Sequence, residues 1–385
     1  MRKLPTSSRR DILLPAVLVG MLALLVLVFF ISRGEKKEIP PVSEDTSGFE
    51  EKYAIQLTDP TLKDIFDRMK NVFSAKVSSY KRHNTKSEFG SEYFYTKLDI
   101  PSAFPLPLVN QKLVELITDA NYELIDAKET PSGNSLVLDI GYGGKIFHRI
   151  YVRRLSSIPL DTVEVVILID DFGIGELDVE KQFLALPIDI TPTVIPHSEH
   201  WEESFSLIRG REFLVHMPME PEPPAKYEGE FIITADMKPD KVVGMVNSAF
   251  ALMPAAVGMN NHMGSLATQK KSVMVPLLET IHTSGRFFID SRTTIYSVAQ
   301  EVADSLGFPI LRLYHYIDYP ESTSLATETR LIKLILDMRE KGGDKIIIGH
   351  TRQETLSALK NVLPLFKKWG VKVVPASKIY RKLCK

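Results

Sequence analysis

The feature that most constrains this chain is an alternation that begins at Thr162. Short runs rich in Val, Ile and Leu occupy 163–169, 190–195, 212–215, 256–259, 286–289, 310–313, 345–348 and 371–374. Stretches with helical spacing lie between them, at 239–252, 271–284, 323–341 and 353–369. Strands that are apolar on both faces belong in a parallel sheet covered on both sides, with the helices as crossovers. Seven or eight such units predict an α/β fold, a distorted or incomplete (β/α) barrel spanning 159–385.

The polar residues at the end of each run narrow the function. VVILID ends in Asp170 and Asp171, and EFLVH ends in His216, with Glu220 four residues on. VGMNNH ends in Asn260, Asn261 and His262; RFFID ends in Asp290, with Arg292 two residues on; KIIIGH ends in His350. In a (β/α) barrel these strand ends converge on one face, where active sites lie. Each signal alone has a plainer reading. An Asp pair caps helices and turns, a single His is more often structural, Asp290 and Arg292 can close a local ion pair, and His350 can cap the next helix. Their conjunction at one sheet edge argues for a site, because a buried polar group costs free energy unless it is satisfied. His197 and His200, flanking Trp201, read as a solvated helix start, and His282 as a structural helix residue.

Composition limits the chemistry. The single cysteine, Cys384, excludes a disulfide framework and a thiolate zinc site, so any metal must be held by histidine and carboxylate. The 47 basic and 48 acidic residues nearly cancel, which leaves no electrostatic footprint for nucleic acid. Two imidazoles and a carboxylate are a usual set for a catalytic divalent metal, with zinc the default and Co, Ni or Mn as substitutes. Such a metal lowers the pKa of its water from about 16 toward 7 and polarises a carbonyl. A second carboxylate can then take the water's proton, and a further His can protonate the leaving amine.

The N-terminal part sets the compartment. Residues 12–31 are apolar and uncharged, and as a helix they span roughly 30 Å, enough for a bilayer's hydrocarbon core. No small-residue cleavage site comes after them, so an uncleaved single-pass anchor is expected. Four basic residues precede it and three come after it, which places residues 1–11 in the cytoplasm and the rest in the periplasm or exterior. Residues 32–49 read as a linker. Residues 50–158 read as a small α+β domain of unassigned role, with helices over 62–79 and 108–121 and strands over 122–126, 135–140 and 145–152. From Glu220 to Met237, eighteen residues with three prolines read as a rim loop, with Tyr227, Phe231 and Trp201 as candidates for stacking on sugar rings.

The segments ILIDDFGIG, TPTVIPHSEH, FLVHMPMEPE, VGMNNHMGS, FFIDSRTT, LYHYID and IIIGHTRQETL, in this order, resemble the divergent polysaccharide deacetylases, relatives of the NodB-type carbohydrate esterases. The resemblance covers about 220 residues. It implies Asp170 as general base, Asp171 as metal ligand, His216 as the first metal-binding histidine and His350 as general acid. Asp290 and Arg292 would orient His350 or bind substrate. The NodB-type pattern has a second histidine where this chain has Glu220, so either Glu220 or His262 fills that coordination position; His262 is preferred, leaving Glu220, Asn261 and Trp201 for substrate. The function expected is metal-dependent removal of N-acetyl groups from an envelope polysaccharide or oligosaccharide. The alternative, motivated by Glu220, is an inactive barrel that binds envelope glycan or a protein partner.

Overall fold

The computed structural model describes residues 59–83, 92–130, 133–227 and 229–384. The expected anchor and linker lie outside these residues. Among the described residues no helix is long and apolar enough to cross a membrane.

The first part is a five-stranded sheet with two helices. Helix α1 (Pro60–Phe73) starts where Asp59 accepts hydrogen bonds from the amides of Thr61 (2.8 Å) and Leu62 (3.3 Å), with proline at the first helical position. It ends at Ser74, whose φ of 51° breaks the helix. The expected helix to residue 79 therefore stops six residues early, and β1 (Lys76–His83) takes over. Next come β2 (Glu92–Pro101), α2 (Leu106–Asp119), β3 (Glu123–Glu129), β4 (Ser135–Tyr142) and β5 (Lys145–Leu155), in the sheet order β1-β2-β5-β4-β3. Helix α1 buries Leu62, Ile65, Phe66, Met69, Val72 and Phe73, the stripe that 3.6-residue spacing puts on one face.

The second part holds β6 (Val163–Phe172), α3 (Leu177–Leu184), β7 (Thr191–Val194), α4 (Trp201–Leu207), β8 (Leu214–Met219), α5 (Pro239–Leu252), β9 (Gly258–Met263), α6 (Lys271–Thr283), β10 (Phe287–Asp290) and α7 (Ala299–Leu306). It continues with β11 (Leu311–Arg312), β12 (His315–Tyr316), α8 (Ser324–Lys341), β13 (Lys345–His350), α9 (Gln353–Lys368), β14 (Val371–Val373) and α10 (Ala376–Leu383). The strands form one parallel, curled sheet in the order β11-β10-β9-β8-β7-β6-β13-β12, with β14 beside β6. Its two ends, β11 and β12, are consecutive in the chain. The Leu313 amide bonds to Asp290 O (2.9 Å) and the Tyr314 amide to Ile346 O (2.8 Å), so one short stretch passes from β10 to β13. The expected strand over 310–313 is thus shortened to Leu311–Arg312, and the curl is a half-barrel drawn together by this crossing stretch.

Alternation divides the core. Val166, Leu168, Leu214, Phe287, Ile289, Ile346 and Ile348 face inward with Val374, Ala376 and Ile379, so α10 plugs one end of the curl. Val165, Ile167 and Ile169 face the helices. Each buried aliphatic side chain contributes about 1.5–3 kcal/mol. The same inward register continues past the apolar layers into Asp170, His216, Asn260, His262, Ser291 and His350 at the other end.

The two parts are joined by Arg339 at the end of α8. Its buried guanidinium donates to Val72 O (2.5 Å), Asp161 O (2.9 Å), Trp369 O (2.9 Å) and Ser74 Oγ (2.7 Å). Glu340 beside it pairs with Arg68 and Lys112 of the first part.

Candidate metal centre and active site

The site begins at the end of β6. Strand alternation aims Asp170 inward and would aim Asp171 at the helices. The pairing of β6 with β7 slips between Ile169 and Phe172, and Asp171 takes φ 71°. This bulge turns Asp171 back toward the same end of the curl. Hydrogen bonds from two sides hold the turn. Thr351 donates through its amide to Asp170 O (3.1 Å) and through Oγ1 to Asp171 O (3.0 Å). Buried Glu180 accepts from the Gly173 amide (2.8 Å) and Ser204 Oγ (2.5 Å). Gly173 has φ +103°, and a Cβ there would lie 2.2 Å from Ser198 Oγ, so only glycine fits.

Asp171, His216 and His262 meet. Asp171 Oδ1 lies 3.1 Å from His262 Nδ1 and 3.3 Å from His216 Nε2, and the two imidazole nitrogens are 3.2 Å apart. The three atoms can share one ion. A tetrahedral zinc with ligands at about 2.0–2.1 Å sets its ligand atoms about 3.3 Å apart, close to these edges. The decisive observation is that Asp171 Oδ1 is buried and accepts no hydrogen bond. A buried carboxylate oxygen without a donor is costly, and a cation between the three atoms removes that cost. Burial raises the Asp171 pKa, but the His216 and His262 imidazoles and the charge of His350 outweigh it and hold the carboxyl well below its usual range.

The tautomer of His216 is set by its neighbour. His216 Nδ1 is 2.9 Å from Asn260 Oδ1, while Asn260 Nδ2 lies 3.1 and 3.2 Å from the two oxygens of Asp170. Since the amide nitrogen donates to Asp170, its oxygen must accept from His216 Nδ1, which leaves Nε2 as the nitrogen facing Asp171 and His262. Asp170, 2% exposed, also accepts from Thr193 Oγ1 (2.8 Å), and its Oδ2 is 3.5 Å from His216 Nε2.

His350 pairs in register with Asp170 across β13 and β6. Its Nδ1 is 2.9 Å from Asp318 Oδ1, and its amide donates to Asp318 Oδ2 (2.8 Å). Thr355 Oγ1 donates to the same carboxylate (2.7 Å), and Tyr316 stacks on the His350 ring at 5.8 Å. Burial lowers the His350 pKa, but the Asp318 hydrogen bond and the charges of Asp318, Asp171 and Asp170 carry it up to about 9. These influences favour the protonated ring at neutral pH.

Other expected site residues have different surroundings. Asp290 and Arg292 do not orient His350; Asp318 does. Ile289 and Ser291 occupy the inward register, so Asp290 turns away and accepts from the Arg292 amide (2.8 Å), while Arg292 is exposed with φ 50°. Glu220 is not among the three residues whose ligand atoms meet; its carboxylate accepts from the Ala235 amide (2.7 Å) and pins the rim segment. Asn261 is one residue out of register. Its side chain donates to Met263 O (2.7 Å) and accepts from the Ser291 amide (2.9 Å), a structural role. Trp201 packs against the core with its ring 5.8 Å from His197. A cleft of about 430 Å³ beside the site is lined by His197, Tyr227, Gly229, Glu230 and Phe231, and the Tyr227 ring stands 5.8 Å from that of His262. A larger groove of about 1220 Å³, between α3, α9 and β14, contains none of these groups.

A model of the divergent polysaccharide deacetylases matches residues 167–380. The chain belongs to the divergent polysaccharide deacetylase family. An uncharacterized protein of Haemophilus influenzae is 33% identical over 209 residues, 53% of this chain and 72% of that protein. The uncharacterized protein YibQ of Escherichia coli is 30% identical over 211 residues, and the chain covers 65% of its length. The crystal structure of uncharacterized protein ATU2773 from Agrobacterium tumefaciens superposes with a TM-score of 0.52 at 19% identity, over 57% of this chain and 89% of that one, a likeness of fold alone. Every group of the site from Asp170 to His350 falls within the matched family region.

Sequence reasoning missed Asn260 as an inward group, Thr193 and Asp318. Counting by two from His262 selects Asn260 over Asn261. Asp318, which ends LYHYID, carried the same strand-end signal as the residues that were chosen.

Proposed function

We propose that this chain is a metal-dependent hydrolase that removes N-acetyl groups from an envelope polysaccharide or oligosaccharide, anchored to the cytoplasmic membrane by residues 12–31 with its barrel outside the cytoplasm. The observation that carries the reading is the buried, donor-less Asp171 Oδ1 between two imidazole nitrogens, with a second carboxylate and a positively charged His350 beside it. Asp171 Oδ1, His216 Nε2 and His262 Nδ1 would hold a divalent ion, and their N, N, O donor set suits zinc. When bound, such an ion lowers the pKa of water and polarises an acyl carbonyl.

The chain's own groups supply the proton transfers. Asp170, held by Thr193 and Asn260, is placed to accept a proton from the attacking water. His350, held by Asp318, is placed to give its proton to the departing amine nitrogen, so that amide and water become acetate and free amine. Tyr227 and Phe231 in the cleft offer apolar faces to a pyranose ring. The test is to incubate the zinc-loaded full chain in detergent with chitin oligomers and peptidoglycan fragments and to follow acetate release and the mass loss of one acetyl group. Turnover that disappears in Asp171→Ala supports the reading; a zinc-loaded chain that releases no acetate from either substrate contradicts it.

A further inference from the structure

Asn260 sits where two parts of the site meet. It is fully buried, and its one amide spans the proposed base and a proposed metal ligand. Its Nδ2 reaches both oxygens of Asp170 (3.1 and 3.2 Å) and Ser291 Oγ (3.2 Å), while its Oδ1 accepts from His216 Nδ1 (2.9 Å). Its backbone adds nothing unusual, since it pairs in ordinary register with His216 on one side and Ile289 on the other.

We infer that Asn260 is a positioning residue with two separable tasks: its carbonyl locks His216 in the tautomer that offers Nε2 to a cation, and its amino group holds the Asp170 carboxylate aimed at the same point. This rests on the proposed deacetylase reading for the second task only; the first concerns cation binding alone. The two partners dictate the residue type. A neutral amide is the one side chain of this size that gives a donor to a carboxylate and an acceptor to an imidazole N–H together. Aspartate keeps the acceptor but sets a second negative charge against Asp170. Alanine removes both bonds and leaves His216 free to place its proton on either nitrogen. Loss of an outer partner of a metal-binding histidine typically weakens metal binding about 10–100-fold.

The test uses the full chain in detergent and measures zinc affinity by chelator competition beside kcat and KM. Asn260→Ala is expected to lose about 10–100-fold in zinc affinity. Asn260→Asp is expected to keep zinc affinity within about threefold, because a carboxylate still accepts from His216, and to lose about 100-fold in kcat with KM unchanged. Thr193→Val, which removes another donor to Asp170 without touching His216, is expected to lower kcat and leave zinc affinity as it was. This variant and Asn260→Asp carry the test should Asn260→Ala fail to fold. Equal zinc affinity in folded Asn260→Ala and the unaltered chain overturns the tautomer task. Unchanged kcat in Asn260→Asp overturns the second task, and so does a parallel fall of kcat, zinc affinity and unfolding midpoint in every variant, the mark of a merely structural amide. A chain that binds zinc but deacetylates neither substrate contradicts the proposed function and leaves the zinc comparison valid.

Discussion

Replacing Asp318 by Asn probes the acid half of the site without touching the three atoms proposed to hold a cation. The carboxylate makes two contacts with His350, at 2.8 and 2.9 Å, and its hydrogen bond and charge are the largest influences raising the His350 pKa to about 9 from an ordinary 6.5. That shift corresponds to about 3 kcal/mol favouring the protonated ring. Asparagine has nearly the same shape and still accepts from Thr355, but it lacks the charge. The proton on His350 is then held less strongly, and the alkaline limb of kcat/KM moves down from about pH 9 toward 6.5. At pH 8 the protonated fraction falls from about 0.9 to as little as about 0.03, so the expected loss is up to about 30-fold, while at pH 6 the two proteins differ much less. The assay is the pH profile of acetate release, with the unfolding midpoint as a check on folding. An unchanged alkaline limb in a folded Asp318→Asn protein would refute the assignment of His350 as the acid and Asp318 as its partner.

Two further predictions concern stability. Gly173→Ala places a Cβ 2.2 Å from Ser198 Oγ at φ +103°; a loss on the order of 2–3 kcal/mol is expected in denaturant unfolding, with weaker zinc binding because the turn carrying Asp171 shifts. His148 is fully buried in the first part, where burial pushes its pKa down to about 4, offset in part by the charge of Asp59. The folded protein holds it neutral, so its stabilising contribution is complete above pH 6.5 and is lost as pH falls through 4, by about 3 kcal/mol in all. Unfolding free energies at pH 7 and pH 4.5 should diverge less in His148→Phe than in the unaltered chain; an equal drop in both would contradict this.

Apolar runs and their strand-end polar residues were legible because each side chain in a covered parallel strand is committed to one of two faces. That signal marks Asp171, His216 and His262 among the other strand-end residues, and the resemblance to the divergent deacetylases singles them out as ligands; the fold brings them within 3.3 Å of one another. It could not show the slip after Ile169 that turns Asp171 inward, because a bulge depends on the register in which β6 pairs with β7, which the apolar pattern of β6 does not carry. Taken as clusters, the strand ends offer Asn261 and Asp290; the period of two puts Asn260 and Ser291 in the site instead. Asp318 escaped notice because β12 is two residues long and its hydrogen bonds belong to the stretch that crosses from β10 to β13. In the first part, amphipathic spacing found α1 but not its end, since Ser74 stops it by backbone conformation rather than by polarity.

The most direct measurement of the central claim is zinc binding to the full chain by metal analysis and chelator competition, compared with Asp171→Ala, His216→Ala and His262→Ala. One ion per chain is expected, with affinity lowered by orders of magnitude in each folded variant. A chain that retains no ion, or three variants that hold it as tightly as the unaltered protein, would show that these side chains meet for some other reason.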